Sequence, residues 1–473
     1  MNVLKRVIVV GAGSAGRSVA RLLNHVGYDV VINDIRDWED FTTEEREYLE
    51  VLEREGVEVA LGGHDRELFE SADAAFVSPA IPEDAEGRKL AELVPEEITV
   101  EDVAGLLGDL FPVPAIGITG TNGKTTTTWA VAHLLEACGY EVWRCSSLDR
   151  HLVIEAIVDG VVTGEIEGYD VAVVELPHGT IRLAAGIELD VGVLTNVSPE
   201  HLDEFGGSFE RYVRRKLTIT EMSEVLVAGY DCEELRKRLN DAVWYSVRDP
   251  DADYYGRREN GRLVVKGPDA SVEADFHLIG YYVENCTGAV AACLEFGADP
   301  EGVAEGLATF EGVPGRMELL GEFSGRVAYI DAAHNPDGLK ASLPPFRELA
   351  DERGGRLLVS VDNPDTVTER DKFEFGRIVG EYADFVAASG YNETLERLDR
   401  SAAEEVVKGA ESAGCEGVAV DSVREAAEEV AARSEEGDVL LHVGPGVVNA
   451  YDRVKRAFLR GLTSVLGEPS DEA

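Results

Sequence analysis

Residues 115–126 read AIGITGTNGKTT, and the run continues TTWAVAHLLEA to residue 137. A short apolar strand feeds a glycine-rich turn, and Lys124 and Thr125 then open a helix. In that order, backbone N–H groups converge on a phosphate and the helix N-terminus adds its partial positive charge. Gly120, Thr121, Asn122, Gly123 and Thr126 form the cradle, Lys124 reaches the terminal phosphates, and the Thr125 hydroxyl ligates Mg²⁺. The pattern G-x-x-x-x-G-K-[ST] is not met strictly, because Ile118 stands five before Gly123 and the glycine falls at Gly117. A nucleoside triphosphate is the expected ligand, with a flexible glycine turn as the plain alternative. Downstream, the strand VAVVE ends at Glu175. A carboxylate at the C-terminal end of a neighbouring strand can hold the same Mg²⁺; alone, it would read as a solvated strand end.

Outward from this centre the chain alternates strands and helices, the pattern of parallel sheets covered by helices. Before it come RVIVV at 6–10, YDVVI at 28–32, and strand candidates at 57–61 and 74–77. After it come apolar strands at 191–194, 327–330, 357–361, 385–388 and 439–443, the last four alternating with acidic amphipathic helices such as 422–433. The proline-bearing stretches LFPVP (110–114) and GVPG (312–315) mark boundaries. The expected architecture is therefore α/β in three domains, 1–110, 111–313 and 314–473, a division that suits a length of 473 residues at roughly 100–200 residues per domain.

Composition narrows the function. Ninety-one acidic against 44 basic residues give a formal net charge of −47, which repels nucleic acid. No apolar run reaches the roughly 18 residues of a membrane span, and RVIVV runs straight into a glycine turn, so it reads as a first strand and not as a targeting segment. The six cysteines are scattered with no C-x-x-C pair, as for small thiols in a reducing compartment. A cytoplasmic protein is expected. Lysine occurs only ten times, and two lysines fall inside motifs.

The second of these is Lys216, in the basic run Arg211–Lys216 that ends TNVSPEHLDEFGGSFERYVRRK (195–216). That segment also carries Asn196 at a strand end and His201. Individually a histidine here is more often structural and a lysine more often a solvated cation. Together with TGTNGKTT, VVEL, GRME (315–318) and DAAHNPDG (331–338), the series resembles the Mur ligase family, ATP-dependent amide-forming ligases of cell-wall precursors, and its folyl-polyglutamate relatives. The resemblance extends from residue 1 to about 460. It implies a Rossmann-like first domain, a central ATPase-type domain and a Rossmann-like third domain. It implies two Mg²⁺ ions, one held by Thr125 and Glu175 and one by His201 and a carbamylated Lys216. It also implies that Arg316 crosses to ATP, that Asp331 binds the ribose, that Asn285 contacts adenine, and that His334 and Asn335 approach the phosphates and the incoming amine. Tyr281-Tyr282 replace the usual His-Asn, and Glu200 replaces the usual Asp before the histidine.

The reaction so implied turns a poor electrophile, a carboxylate, into an acyl phosphate that an amine attacks. Gly11-x-Gly13-x-x-Gly16, with Ser14 and Ala15 inside it and Asp34 farther on, is by itself a dinucleotide signature. The resemblance offers instead a UDP-linked acid, with Ser78 in SPAIP (78–82) similar to the D-glutamate-adding members. The mixed character, with the acidic Arg-rich composition, points to an archaeal, pseudomurein-type ligase. Segments 362–365 (DNPD), 389–393 (SGYNE), His442 and 444–446 (GPG) are expected to meet the second substrate. A Mur-like ligase closing the carbocyclic ring of a nickel tetrapyrrole cofactor, a nucleotide-sensing module and an NAD-dependent dehydrogenase are the alternatives. The added amino acid and the oligomeric state are not readable.

Overall fold

The computed structural model describes residues 5–149, 152–200, 202–365, 370–392, 396–444 and 448–470. They group into two compact units: 1–254 with 267–270 and 288–306, and 255–266 with 271–287 and 307–473.

The first unit holds two parallel sheets. One is built from β1 (Arg6–Val10), β2 (Asp29–Asn33), β3 (Glu58–Ala60), β4 (Ala74–Val77) and β5 (Glu96–Glu97), in the order β3-β2-β1-β4-β5. The glycine-rich segment leaves β1 and enters the helix Ser14–His25, with Gly13 as its N-cap. A Cβ on Gly16 would lie 1.7 Å from the Gly11 carbonyl oxygen, so helix and loop meet only because that position is glycine.

The other sheet comprises β6 (Ala115–Thr119), β7 (Val142–Cys145), β8 (Val171–Glu175), β9 (Leu189–Leu194), β10 (Ser223–Gly229) and β11 (Val243–Ser246), in the order β11-β10-β9-β6-β8-β7. Every residue of β6 and β8 is buried, which is why their sequences are apolar runs without alternation. The chain leaves β6 for one side of the sheet and returns on the other through β9. β6 is thus the switch point, where the C-terminal strand ends open a crevice for ligands.

The two sheets are joined through buried charge. Arg17, 1% exposed, donates from Nε and Nη2 to Glu155 Oε1 at 3.0 and 2.6 Å, and from Nη1 to the Ala12 carbonyl at 2.8 Å and to Glu45 at 3.2 Å. Burial pushes Glu155 up to about 7, against the pull of Arg17. One turn along, Arg21 pairs with Asp159, which also accepts from the Tyr48 hydroxyl at 2.6 Å.

In the second unit, β12 (Tyr254–Glu259), β13 (Arg262–Lys266) and β14 (Ser271–Asp275) form an antiparallel meander. Its first turn is Asn260-Gly261, with φ of 50° and 74°, the two positive values a tight hairpin requires. That dipeptide was the available signal for strands absent from the sequence reading. The unit's main sheet runs β15-β16-β22-β17-β18-β21, formed by β15 (Glu318–Phe323), β16 (Arg326–Asp331), β17 (Leu357–Val361), β18 (Phe385–Ser389), β21 (Glu416–Val420) and β22 (Val439–Val443). β19 (Tyr391–Asn392) and β20 (Arg397–Leu398) form a separate ribbon. Only β15 is antiparallel to its neighbour among the main-sheet pairings.

His442, in the middle of that sheet, is fully buried, its Nδ1 2.9 Å from the Ser360 hydroxyl and its ring against Phe458. Burial lowers its pKa from 6.5 to about 3. It stays neutral in the folded chain, whereas the unfolded chain takes up a proton below about pH 6.5, so stability falls as pH drops from there toward 3. From pH 8 to pH 5 this one group is expected to remove about 2 kcal/mol. His442→Gln should flatten that part of the dependence in urea unfolding at the two pH values; an unchanged dependence would refute a neutral buried imidazole.

Candidate active site

The loop between β6 and the helix Lys124–Ala137 is fixed by the segment after β9. Thr121 N–H donates to the Asn196 carbonyl at 2.9 Å and Asn122 N–H to Asn196 Oδ1 at 2.9 Å. The Asn122 carbonyl accepts from Thr195 Oγ1 at 2.6 Å and from Asn196 Nδ2 at 3.1 Å. Asn196 is thus a strut beneath the loop. Gly120, at φ 147°, leaves room for this: a Cβ there would stand 2.0 Å from Thr195 Oγ1. Thr121 Oγ1 lies 3.1 Å from the Tyr212 hydroxyl and accepts from Ser198 N–H at 3.0 Å. Lys124 Nζ donates to the Thr121 carbonyl at 2.8 Å, and Thr126 is buried behind the loop.

At the C-terminal end of β8, Glu175 Oε2 accepts from Thr125 Oγ1 at 3.0 Å, from Ser147 N–H at 3.0 Å and from Ser147 Oγ at 3.1 Å. Thr125 Oγ1 and Ser147 Oγ are 3.3 Å apart. Two hydroxyls around one carboxylate are hard oxygen donors of the kind Mg²⁺ takes. Ser147 was not singled out in the sequence, because it meets Glu175 only through the pairing of β7 with β8.

Lys216 is the last residue of the helix Phe209–Lys216 and is 1% exposed. Its Nζ donates to Thr119 Oγ1 at 3.3 Å and lies 5.6 Å from the centre of the Tyr212 ring. Burial, and then the Lys124 charge, push the amine well below its ordinary value, against the opposite pull of Glu175 and the buried Glu200. Burial likewise raises the Tyr212 phenol to about 12. The structure therefore brings Lys124, Thr125, Glu175, Asn196 and Lys216 to one sheet edge. His201 lies outside the described residues.

At the first sheet, Gly11, Gly13, Ser14, Ala15 and Gly16 form the turn after β1, and Ser78, 3% exposed, donates its N–H to the Val10 carbonyl at 2.9 Å. Asp34 is heavily engaged. Its Oδ2 accepts from Ala12 N–H at 2.7 Å and Arg36 Nη2 at 3.1 Å, and its Oδ1 from Arg36 N–H at 3.0 Å and Nε at 3.2 Å. Although burial opposes it, these bonds hold the carboxyl below its usual range. The Arg36 guanidinium in turn sits 3.9 Å from the centre of the Phe41 ring.

In the second unit, Asp331 at the end of β16 is 2% exposed. Its Oδ2 accepts from the Tyr281 hydroxyl at 2.6 Å and Met317 N–H at 2.8 Å, and its Oδ1 from Ala333 N–H at 2.9 Å. Met317 has φ 44°, so this carboxylate pins a left-handed turn immediately after Arg316. The Arg316 Nη1 donates to the Gly315 carbonyl at 3.2 Å, and the Arg316 carbonyl accepts from Tyr282 at 2.8 Å. Asn285 is buried on the helix Tyr282–Glu295. His334 Nδ1 lies 3.0 Å from the Ala332 carbonyl, and Asn335 caps the helix Pro336–Glu352 by accepting from Gly338 N–H at 2.7 Å.

Among the other segments, Lys372 pairs with Asp365 at 2.9 Å, and Asn392 Nδ2 donates to the Asp365 carbonyl at 2.8 Å. Asp362, Asn363, Asp365, Ser389 and Asn392 are all buried. Glu393, Pro445 and Gly446 lie outside the described residues.

Three family models match the chain: the Mur ligase MurD-like N-terminal domain over residues 5–100, the Mur ligase middle domain over 118–293, and the Mur ligase glutamate ligase domain over 315–446. The UDP-N-acetylmuramoylalanine–D-glutamate ligase of Geotalea uraniireducens is 30% identical over 69% of this chain and 72% of its own. An uncharacterized protein of Methanothermobacter thermautotrophicus is 43% identical over 46% of this chain and 70% of its own. Among solved structures, a pseudomurein peptide ligase type C from Methanothermus fervidus superposes with a TM-score of 0.59 at 25% identity, covering 96% of this chain and 99% of that one.

Proposed function

From the premise that the chain belongs to the Mur ligase family of ATP-dependent ligases, we propose that it joins the carboxylate of a UDP-linked pseudomurein precursor to the amine of an amino acid. The observation that carries this is the convergence of Lys124, Thr125, Glu175 and Lys216 on one sheet edge. The likeness to the Methanothermus fervidus pseudomurein ligase supports the precursor class. We place the domain boundaries at 110/111 and 313/314 and the enzyme in the cytoplasm, where ATP and such precursors meet.

ATP lies along the loop Gly120–Thr126, whose backbone N–H groups and helix N-terminus take the phosphates. Lys124 swings from the Thr121 carbonyl to the terminal phosphate and neutralises charge as it transfers to the substrate carboxylate. Thr125 and Glu175 would hold one Mg²⁺; Lys216, as the carbamate formed when its neutral amine adds CO₂ and loses a proton, would hold a second with His201. These ions supply charge neutralisation between the two anions that must meet. Asn285, Arg316 and Asp331 are assigned to the nucleotide, and His334 and Asn335 to the incoming amine. Gly11, Gly13, Ser14, Ala15, Gly16, Asp34 and Ser78 are assigned to the nucleotide-linked acid, with Asn196 steadying the loop. The buried polar set Asp362, Asn363, Asp365 and Asn392 is assigned to the second substrate.

An ADP-release screen over UDP-linked acids and amino acids tests the reading. ADP should appear only when acid and amine are both present. Release that needs an acid but no amine would overturn amide formation in favour of an internal ring closure, and absence of release with every pair would overturn the UDP-linked substrate class.

A further inference from the structure

The helix Phe209–Lys216 carries Arg211, Arg214 and Arg215 ahead of Lys216, in a chain of net charge −47. Arg215 is half-buried. Its Nη1 donates to the His178 carbonyl at 3.3 Å and its guanidinium lies 5.7 Å from the centre of the Phe205 ring. Arg211 stands one turn earlier on the same helix face. Arg182 follows His178 by one turn of a helical stretch in which Ile181 N–H donates to the Pro177 carbonyl and Ala184 N–H to the Thr180 carbonyl. Arg182 and Arg211 are the charges that act most on Arg215.

These guanidiniums gather with few acids to match them. Among the described residues neither Arg211 nor Arg215 forms an ion pair, and Arg182 reaches only Glu101, at 3.9 Å and solvent-exposed. The nearby carboxylates face elsewhere: Glu204 lies 3.0 Å from His178 Nε2, and Glu210 pairs with Arg238 at 2.9 Å. With 91 acidic residues in the chain, this is a place where like charges meet and, among the described residues, only the exposed Glu101 answers one of them. It also adjoins the reaction centre, since Arg215 precedes Lys216 and His178 follows Glu175 by three residues.

We propose that Arg182, Arg211 and Arg215 form a binding site for a second anionic group, a carboxylate or a phosphate, on the acid substrate. The proposal rests on the ligase reading and deepens it: the preferred acid is a polyanion, and a simple monocarboxylate lacks half of what the site recognises. Paired guanidiniums suit planar carboxylates and phosphates alike. In so acidic a protein they also supply the local positive field that draws such a substrate in.

Calorimetric titration of the Mg·ADP-saturated full chain tests this. The probes are tricarballylate (carboxylates only), 3-phosphonopropionate (one carboxylate, one phosphonate) and butyrate as control. At least one polyanion should bind, butyrate should not, and Arg211→Gln, Arg215→Gln and their combination should weaken binding by about tenfold or more. Arg215→Lys, which keeps charge and fold but loses the fork, should weaken it less. Whichever polyanion binds identifies the group. Equal affinity for wild type and variants, or no polyanion binding to wild type, overturns the proposal. ADP titration of the same samples reports the nucleotide site separately, so its failure would count against the ligase reading and not against the arginines.

Discussion

Lys124→Ala should abolish ATP-dependent ligation, lowering ADP release by about 10³-fold or more while leaving the fold in place. The side chain donates to the Thr121 carbonyl at 2.8 Å, and it sits in the first turn of a helix whose stability comes from its buried residues farther along. Truncation therefore removes the cation assigned to the phosphates while leaving those buried residues in place. The unfolding midpoint should stay within a few degrees of wild type in a thermal melt. Turnover that survives in Lys124→Ala would eliminate the assignment of residues 120–126 as the phosphate loop, whatever the family resemblance.

The second large effect is expected at Lys216. Lys216→Ala should cost about 100-fold in activity, the scale on which support around a catalytic metal is felt. Acetate or formate should restore part of the rate, because each can place a carboxylate where the proposed carbamate would stand. Loss of a buried side chain alone would lower stability and would not respond to a small carboxylate, so rescue separates a chemical role from a structural one. Full activity in the unrescued variant would refute carbamylation.

The legible part of the site is the part written in consecutive residues. Gly120–Thr126 lie on one turn between a buried strand and a helix, so their juxtaposition needs no knowledge of the fold. Glu175 was readable because a strand's last residue points into the rim. Ser147 was not, since its contact with Glu175 and Thr125 depends on β7 lying outside β8, a long-range pairing that sequence periodicity does not encode. Tyr212 and Thr121 are 91 positions apart and met only once the helix had packed. Parallel strands read as apolar runs, and β16, β17, β18 and β22 lie close to the expected bounds, whereas β21 (EGVAV), exposed or only half-buried along its length, has no such run and was not expected. The order β16-β22-β17, which inserts the last strand between two earlier ones, was invisible for the same reason as Ser147. The Tyr281–Asp331–Met317 linkage was hinted at only by an unexpected tyrosine.

The Arg17–Glu155 bridge sets a condition on any chimera of this enzyme. Grafting the first hundred residues of a relative onto this middle segment would import a foreign side chain opposite Glu155. Without an arginine there, a buried carboxylate already reluctant to ionise would be left facing Asp159 with no cation between them, a mismatch worth several kcal/mol. Recipients for such swaps are best screened on that single pairing before any pocket residue is compared.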